Sequence, residues 1–341
     1  MRSTDFYSER YKPIFGLLLV SSITLISYLL FYLLDTRLSF NLVSVISIAI
    51  FISVITTNIW NIPETFHPGI KFSLNQVLSL AIILLGLRLH WSEIALVGST
   101  GLVIIILSLV FTFITTYWLG RRLGLNLKLV QLIACGTSIC GTSAIIAVNG
   151  VVHASEDDVA CSVVTVTALG TIAMFLYPLL SGTLQLTPEE FGLWCGSSIH
   201  QTSQVVAASF QQGLISGEIA TISKLSRVMF LAPIVFLVGL LSPINRNHAV
   251  SNQTKFKLPI PLFIIIFLGV ICLNSFDIIP QNIKENLIVF DKFLIAVAMV
   301  AVGLETKLSK LKQAGLKPLL LGASSWFCLS VTSLCLIKIF I

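Results

Sequence analysis

Charge is what this sequence has least of. Asp, Glu, Lys and Arg make up 11% of its 341 residues, against about 25% in a soluble domain whose surface must face water. That scarcity excludes a water-soluble globule of this length. With 56% hydrophobic residues and a mean hydropathy of +0.96, most of the surface must meet hydrocarbon. Acid is scarcer than base, 15 residues against 21. The basic excess is not a nucleic-acid footprint, because lysine and arginine collect in the cytoplasmic loops of membrane chains. Also missing is the alternation of polar and apolar residues that marks outer-membrane barrel strands, so the spanning elements are helices. The seven cysteines are odd in number, lie within apolar runs and lack loop spacing. This argues against a disulfide framework and a zinc site. No linker or low-complexity stretch separates soluble domains. The chain reads as one all-α transmembrane domain, 1–341, with the lipid bilayer as its surroundings.

What is present is a succession of apolar runs, each near the roughly 20 residues that cross a hydrocarbon core. Eleven are expected, at about 14–34, 39–58, 70–88, 94–119, 129–150, 159–181, 190–211, 219–242, 258–276, 287–304 and 317–339. The first lacks a small-residue cleavage site and reads as a retained helix. With eleven crossings, Arg121, Arg122 and Lys128 fall on one side with Arg246, Lys255 and Lys257, with Lys307, Lys310, Lys312 and Lys317, and with Arg2, Arg10 and Lys12. Positive residues mark the cytoplasm. The N-terminus is therefore expected inside and the C-terminus outside, with the acidic loop Glu156, Asp157, Asp158 opposite the basic ones.

Residues 135–148 read CGTSICGTSAIIAV and residues 195–208 read CGSSIHQTSQVVAA, coinciding at 7 of 14 positions. Gly86-Leu87 and Gly303-Leu304 echo one another more weakly. Together these suggest inverted repeats, roughly 14–181 and 190–341. If each motif segment spans once, however, both run in the same direction, so whether 129–150 and 190–211 span or re-enter stays open. Glycine, serine and threonine at this density interrupt a helix. In hydrocarbon such a break survives only against protein or a water-filled cavity. Two broken helices meeting near the midplane would point half-helix N-termini at the membrane centre, capped by Thr142-Ser143 and Thr202-Ser203. The alternative use of these residues is close helix packing through small side chains.

Lys224 and Arg227, three apart on one helix face, and His200 inside the second motif are ionisable groups within apolar runs. Such groups either snorkel to an interface or serve function. No segment centre carries Asp or Glu, which disfavours a cation antiporter. The expected substrate site is Gly136, Thr137, Ser138, Cys140, Gly141, Thr142 and Ser143 from the first motif. The second motif adds Gly196, Ser197, Ser198, His200, Gln201, Thr202, Ser203 and Gln204, and the eighth run adds Lys224 and Arg227. No catalytic residue, metal ligand or cofactor is expected. Sodium at the breaks, or a proton on His200, are the candidate coupling ions. A channel would use similar helices. An intramembrane hydrolase would need Ser138 or Ser198 as nucleophile and His200 as base, but the glycine spacing is not that of a nucleophile elbow.

SICGTSAIIAV, VTALGTIAMFLYPLL (Val166 to Leu180), SIHQTSQVVAA and KLSRVMFLAP (Lys224 to Pro233) resemble a bacterial inner-membrane family named for sulfate export, the YeiH-type proteins. The resemblance implies a secondary transporter of a small anion: sulfate, a related sulfur oxyanion or a sulfonate. That family usually places an acidic residue after the histidine, where this chain has Gln201. This departure weakens a proton relay through His200. LLGLRLHWSEI (Leu84 to Ile94) is similar to a motif of the more distant group of bile acid:sodium symporters and bicarbonate transporters. That group implies two inverted repeats with crossed broken helices and sodium beside the substrate, so coupled bicarbonate or carboxylate transport is the alternative. The chain would act alone or as a homodimer.

Overall fold

The computed structural model describes residues 4–38, 44–89, 91–241, 262–306 and 315–341. Arg2, Arg246, Lys255, Lys257, Lys307, Lys310 and Lys312 of the charge argument lie outside them. Every ordered element among the described residues is helical: α1 (Thr4–Leu38), α2 (Val45–Ile59), α3 (His67–Phe72), α4 (Leu78–Leu85), α5 (Trp91–Arg122), α6 (Leu127–Ser138), α7 (Thr142–Val152), α8 (Glu156–Thr183), α9 (Pro188–Ser198), α10 (Thr202–Ser209), α11 (Leu214–Met229), α12 (Leu231–Leu241), α13 (Leu262–Ser275), α14 (Gln281–Glu305) and α15 (Leu316–Phe340). Short 3₁₀ and π turns join α3 and α4 into one rod, Glu64–Arg88. Seven of the described helices or rods are long and apolar enough to cross a membrane, with α2 and α13 shorter. Each of the eleven apolar runs is mostly helical over its described residues. The protein is a polytopic helical membrane bundle.

The chain packs as two compact units. The first comprises Met1–Glu93, Phe210–Leu214 and Leu262–Leu308. Within it α1 crosses α3 where Gly69 lies under Gly16. A Cβ on Gly69 would fall 2.2 Å from the Pro13 carbonyl oxygen, so only glycine permits the approach. α14 lies on α2 through Gly303, against Ser53. Val20, Ala49, Ile70, Val300 and Leu304 fill the core between these helices. Arg88, closing the α3–α4 rod, donates to Asp291 of α14 at 2.8 Å, and the Asp291 side chain is fully buried. This acid lies a few residues inside the tenth apolar run, away from the segment centres, where the sequence carries no Asp or Glu. At the other end of α14, Asn58 Nδ2 donates to the Thr306 carbonyl at 3.0 Å. Gly86-Leu87 and Gly303-Leu304 thus stand at opposite ends of this unit, about 20 Å apart along α14 at 1.5 Å per residue.

The second unit, Ile94–Ser209, Ile215–Pro261 and Ser309–Ile341, is organised by α8. Its 28 residues run for about 42 Å. Ser155 caps it, accepting from the Asp158 N–H at 3.2 Å. Glu156, Asp157 and Asp158 form its first turn, where negative charge complements the helix dipole. The expected acidic loop is therefore the start of a helix.

Both motif segments are helical hairpins. Lys128 Nζ, at the start of α6, donates to the carbonyl of His153, just past the end of α7, at 2.7 Å. Asn126 Nδ2 reaches Asp158 of α8 at 3.1 Å. The first hairpin thus opens at the N-terminal end of α8. For the second, Ser216 Oγ near the start of α11 donates to the Pro188 carbonyl at the start of α9, at 2.9 Å. Had α10 continued the direction of α9, these residues would lie more than 30 Å apart. Tyr177 stacks on Trp194 with centroids 3.8 Å apart, so this hairpin opens at the C-terminal end of α8. The hairpins enter from opposite ends, and their arms of 8 to 12 residues reach about halfway along α8.

The reversal corrects the expected sidedness. Glu156, Asp157 and Asp158 share an end of this unit with Arg121, Arg122 and Lys128, because the chain returns to the end from which α6 departed. It also accounts for the parity problem, since neither 129–150 nor 190–211 is a crossing.

α15 runs antiparallel to α9. Trp194 Nε1 donates to the Ser330 carbonyl at 3.1 Å, Ser197 meets Ser333, and Lys338 pairs with Glu190 at 2.8 Å. α9 itself opens with a complete capping box, Thr187 with Glu190, and Pro188 in its first turn. α11 breaks at Phe230, where Pro233 removes the donor that would bond Met229, and α12 continues against α7.

Candidate functional site

The two hairpin tips meet beside α11, and the sequence repeat becomes a repeat of hydrogen bonds. Ile139 and Ile199 N–H groups donate to the Cys135 and Cys195 carbonyls, both at 3.0 Å. Ile145 and Val205 donate to Gly141 and Gln201 at 3.1 and 2.9 Å. Lys224 Nζ donates to the Ile139 and Ile199 carbonyls at 2.8 and 2.9 Å. Each bond in one hairpin has its partner 60 residues on, and the lysine lies where the two copies face one another.

The carbonyls at the end of α6 explain why the cations are there. A helix leaves its last carbonyls without intrahelical donors, and in hydrocarbon each would cost several kcal/mol. Here Cys135 accepts from Ile139 and Gly136 accepts from Gly141 at 2.9 Å. Thr137 accepts from Arg227 Nη2 at 2.6 Å and Ser138 from Arg227 Nε at 2.8 Å. At the end of α9, Gly196 and Ile199 accept from Arg227 Nη1 at 3.4 and 3.3 Å. Lys224 and Arg227 are wholly buried. Neither snorkels to an interface. They cap the C-terminal ends of both inward arms, where the helix dipoles are negative.

The outward arms present a different face. Gly141 stands at the N-cap of α7 with φ +68°, and no side chain caps that helix. Thr142 and Ser143 therefore do not cap it, contrary to expectation: they form its first turn, and Thr142 Oγ1 accepts from Gln201 Nε2 at 3.0 Å. A Cβ on Gly141 would lie 3.0 Å from Gln201 Cγ, so glycine serves both the left-handed backbone and the tip-to-tip contact. Gln204 Oε1 accepts from the Gln201 N–H at 3.3 Å, and Gln204 Nε2 reaches Thr171 Oγ1 and the Thr167 carbonyl of α8. Ser143 is exposed, whereas Thr142, Thr202 and Ser203 are half-buried. The inward arms are sealed, and the start of α7 is open.

Several expected residues turn to structural work. Ser197 Oγ faces α15, and Ser198 Oγ donates to the Trp194 carbonyl. Gly196 packs against Ala220 and Ser223. Others are left wanting. The hydroxyls of Thr137, Ser138 and Ser223 and both ring nitrogens of His200 are buried without a hydrogen-bond partner among the described residues. An unsatisfied buried donor or acceptor costs about 1–3 kcal/mol, so this concentration is unusual unless something binds there. Cys140, equivalent to His200 in the repeat, is 6% exposed. Sequence reasoning missed Thr167 and Thr171, which hold the glutamines. Their i, i+4 spacing on α8 was the available signal. It also missed Ser223, one residue before Lys224, and the carbonyls of Ile139 and Ile199, which no side-chain motif can reveal.

A model of the family described as Conserved hypothetical protein 698 matches residues 15–322. The chain belongs to that family. It is 39% identical over 287 residues to the UPF0324 inner membrane protein YeiH of Escherichia coli K12, covering 82% of this chain and 81% of that protein. It is 41% identical over 257 residues to YeiH of Salmonella typhimurium, covering 74% and 73%. It is 35% identical over 281 residues to a UPF0324 membrane protein of Bacteroides thetaiotaomicron, covering 82% and 84%. No solved structure matches the chain. Both YeiH relatives are named as inner membrane proteins, in accord with the apolar helices of this chain. Members of this family with the same tip residues are expected to share the hairpin pair.

Proposed function

We propose that the protein is a secondary active transporter of a small anion, working by alternating access around the hairpin tips. The observation that carries the reading is two wholly buried cations at the meeting point of two oppositely entering hairpins. Their two positive charges face the C-terminal ends of α6 and α9, worth about half a negative charge each. About one positive charge is left over, in a place where charge is expensive. α7 and α10 begin at the same place, and their N-terminal ends also favour an anion. Four-oxygen or three-oxygen sulfur anions, sulfate or a sulfonate, suit the unpaired hydroxyls of Thr137, Ser138 and Ser223. Bicarbonate or a small carboxylate is the second reading, and the unpartnered imidazole of His200 favours bicarbonate, an anion that carries its own proton.

Chemistry on the substrate is outside this proposal, because Ser198 Oγ is engaged by Trp194 and His200 contacts neither serine by a hydrogen bond. The end of the second unit bearing Arg121, Arg122, Lys128 and Lys317 is assigned to the cytoplasm, so the C-terminus is periplasmic. The polar, basic N-terminus is cytoplasmic by the same rule.

Purified protein in liposomes on a sensor surface tests the proposal. Sulfate, thiosulfate, sulfite, sulfonates, bicarbonate and small carboxylates are applied in turn, and labelled-anion counterflow detects electroneutral exchange. Current or counterflow for one class, absent from protein-free liposomes, is the expected result. Neither signal for any of them would reject the reading.

A further inference from the structure

Backbone carbonyls converging from two helix ends form the kind of oxygen cage that holds a small monovalent cation. Here Thr137, Ser138, Ile139, Gly196 and Ile199 turn their carbonyls to one place. Every one of these oxygens already accepts from a charged nitrogen of α11. We infer that Lys224 and Arg227 are covalently held substitutes for a coupling cation: the cage is filled by the chain itself, and anion movement requires neither sodium nor potassium there.

The two side chains divide the work. Arg227, with four carbonyl contacts, ties the end of α6 to the end of α9. Lys224 Nζ makes one bond to each hairpin at the symmetric position, which is the coordination a small ion between two repeats would adopt. α11 carries both on one face, three residues apart, so a single helix supplies the whole charge. A consequence follows for the transport cycle, resting on the transporter reading. A dissociable cation leaves with its substrate, but a tethered one stays. The empty site then keeps about one unbalanced positive charge, and moving that charge through a low-dielectric barrier is penalised. Return is easiest with another anion bound, so the protein exchanges anions.

Cation binding can be tested without any transported anion, so its failure and that of the transporter reading are separable. Thermal unfolding of detergent-purified protein, followed by tryptophan fluorescence, is compared in choline, sodium and potassium chloride at matched ionic strength. Wild type should melt at the same temperature in all three. Lys224→Met vacates the symmetric position while leaving the Ile139 and Ile199 carbonyls. It should be destabilised in choline and recover selectively in sodium or potassium, by about 2–4 °C at ten times the dissociation constant. Lys224→Arg should show no such recovery. Saturable stabilisation of wild type by one cation would overturn the inference. So would a folded Lys224→Met indifferent to cation identity. If Lys224→Met folds in no salt, Lys224→Ser, with more room for a hydrated ion, replaces it, and the same indifference or failure overturns the vacated site.

Discussion

Arg227→Leu removes the N–H donors of four carbonyl contacts at once, and its effect on stability can be worked from the contacts. Ile199 keeps Lys224 as a partner, but Thr137, Ser138 and Gly196 lose the only donors they have from α11. Three buried acceptors at about 1–3 kcal/mol each come to roughly 3–9 kcal/mol. Removing the buried charge returns part of this, because replacing buried ionic groups by apolar ones can be neutral or stabilising when the partners go too. Here the partners are backbone and cannot go. The net loss is therefore several kcal/mol, a large share of the roughly 5–15 kcal/mol that holds a typical protein folded. Thermal unfolding in detergent should show Arg227→Leu melting many degrees below wild type, or failing to fold. Arg227→Lys should fall between them, having charge but no fork. Arg122→Gln, at an exposed position over the Trp118 ring, should stay within about 1 °C. If Arg227→Leu melts within about 2 °C of wild type, the carbonyls have another way of being satisfied and the capping account is wrong. A transport-dead Arg227 variant is thus informative only when shown to be folded.

Four further outcomes are expected. Gly141→Ala should lose about 1–2 kcal/mol, because φ is +68° and the new Cβ presses on Gln201, whereas Gly150→Ala, in α7 with open space around it, should be neutral or gain up to about 1 kcal/mol; thermal unfolding separates them. In a cysteine-free background, Cys at 157 and at 122 should react with an impermeant reagent from the same side of the membrane, and Cys at 189 from the other; labelling of 157 and 122 from opposite sides would refute the hairpin. The Glu190 carboxyl is held below its ordinary value first by the Lys338 hydrogen bond, against partial desolvation. That contribution is present above the unfolded value near 4.3 and lost as pH falls below it, so the melting gap between wild type and Glu190→Gln should be open at pH 7 and close in acid. Anion counterflow by wild type should be unchanged when sodium is replaced by choline, and efflux into anion-free buffer should be several-fold slower than exchange.

Much of this was legible in the sequence because apolar length and broken-helix composition are local properties. The eleven runs correspond to helical segments, and the repeat of Cys, Gly, Ser, Ile and Thr-Ser does mark equivalent places in two hairpins. What composition could not tell was direction. A helix interrupted at its centre and a hairpin reversing there use the same glycines and hydroxyls. The difference lies in contacts 25 residues apart, Lys128 to His153, and 28 apart, Pro188 to Ser216. The acidic residues 156–158 were misplaced for the same reason, since sidedness was counted through 129–150 as a crossing that does not occur. Lys224 and Arg227 were found by their cost in a membrane, yet their partners are backbone oxygens, which no pattern of side chains encodes. Asp291 was hidden by lying away from a segment centre, and its partner Arg88 by closing a helix where basic residues are ordinary.

The central claim is that an anion binds where α7 and α10 begin, and aspartates placed there test it most directly. Ser143→Asp with Thr202→Asp puts carboxylates in the first turns of both helices, where they favour helix stability but repel an anion. Counterflow of the anion established for wild type should fall at least tenfold in this variant, with its melting temperature unchanged or raised. Undiminished exchange by the folded double variant would show that the anion binds elsewhere.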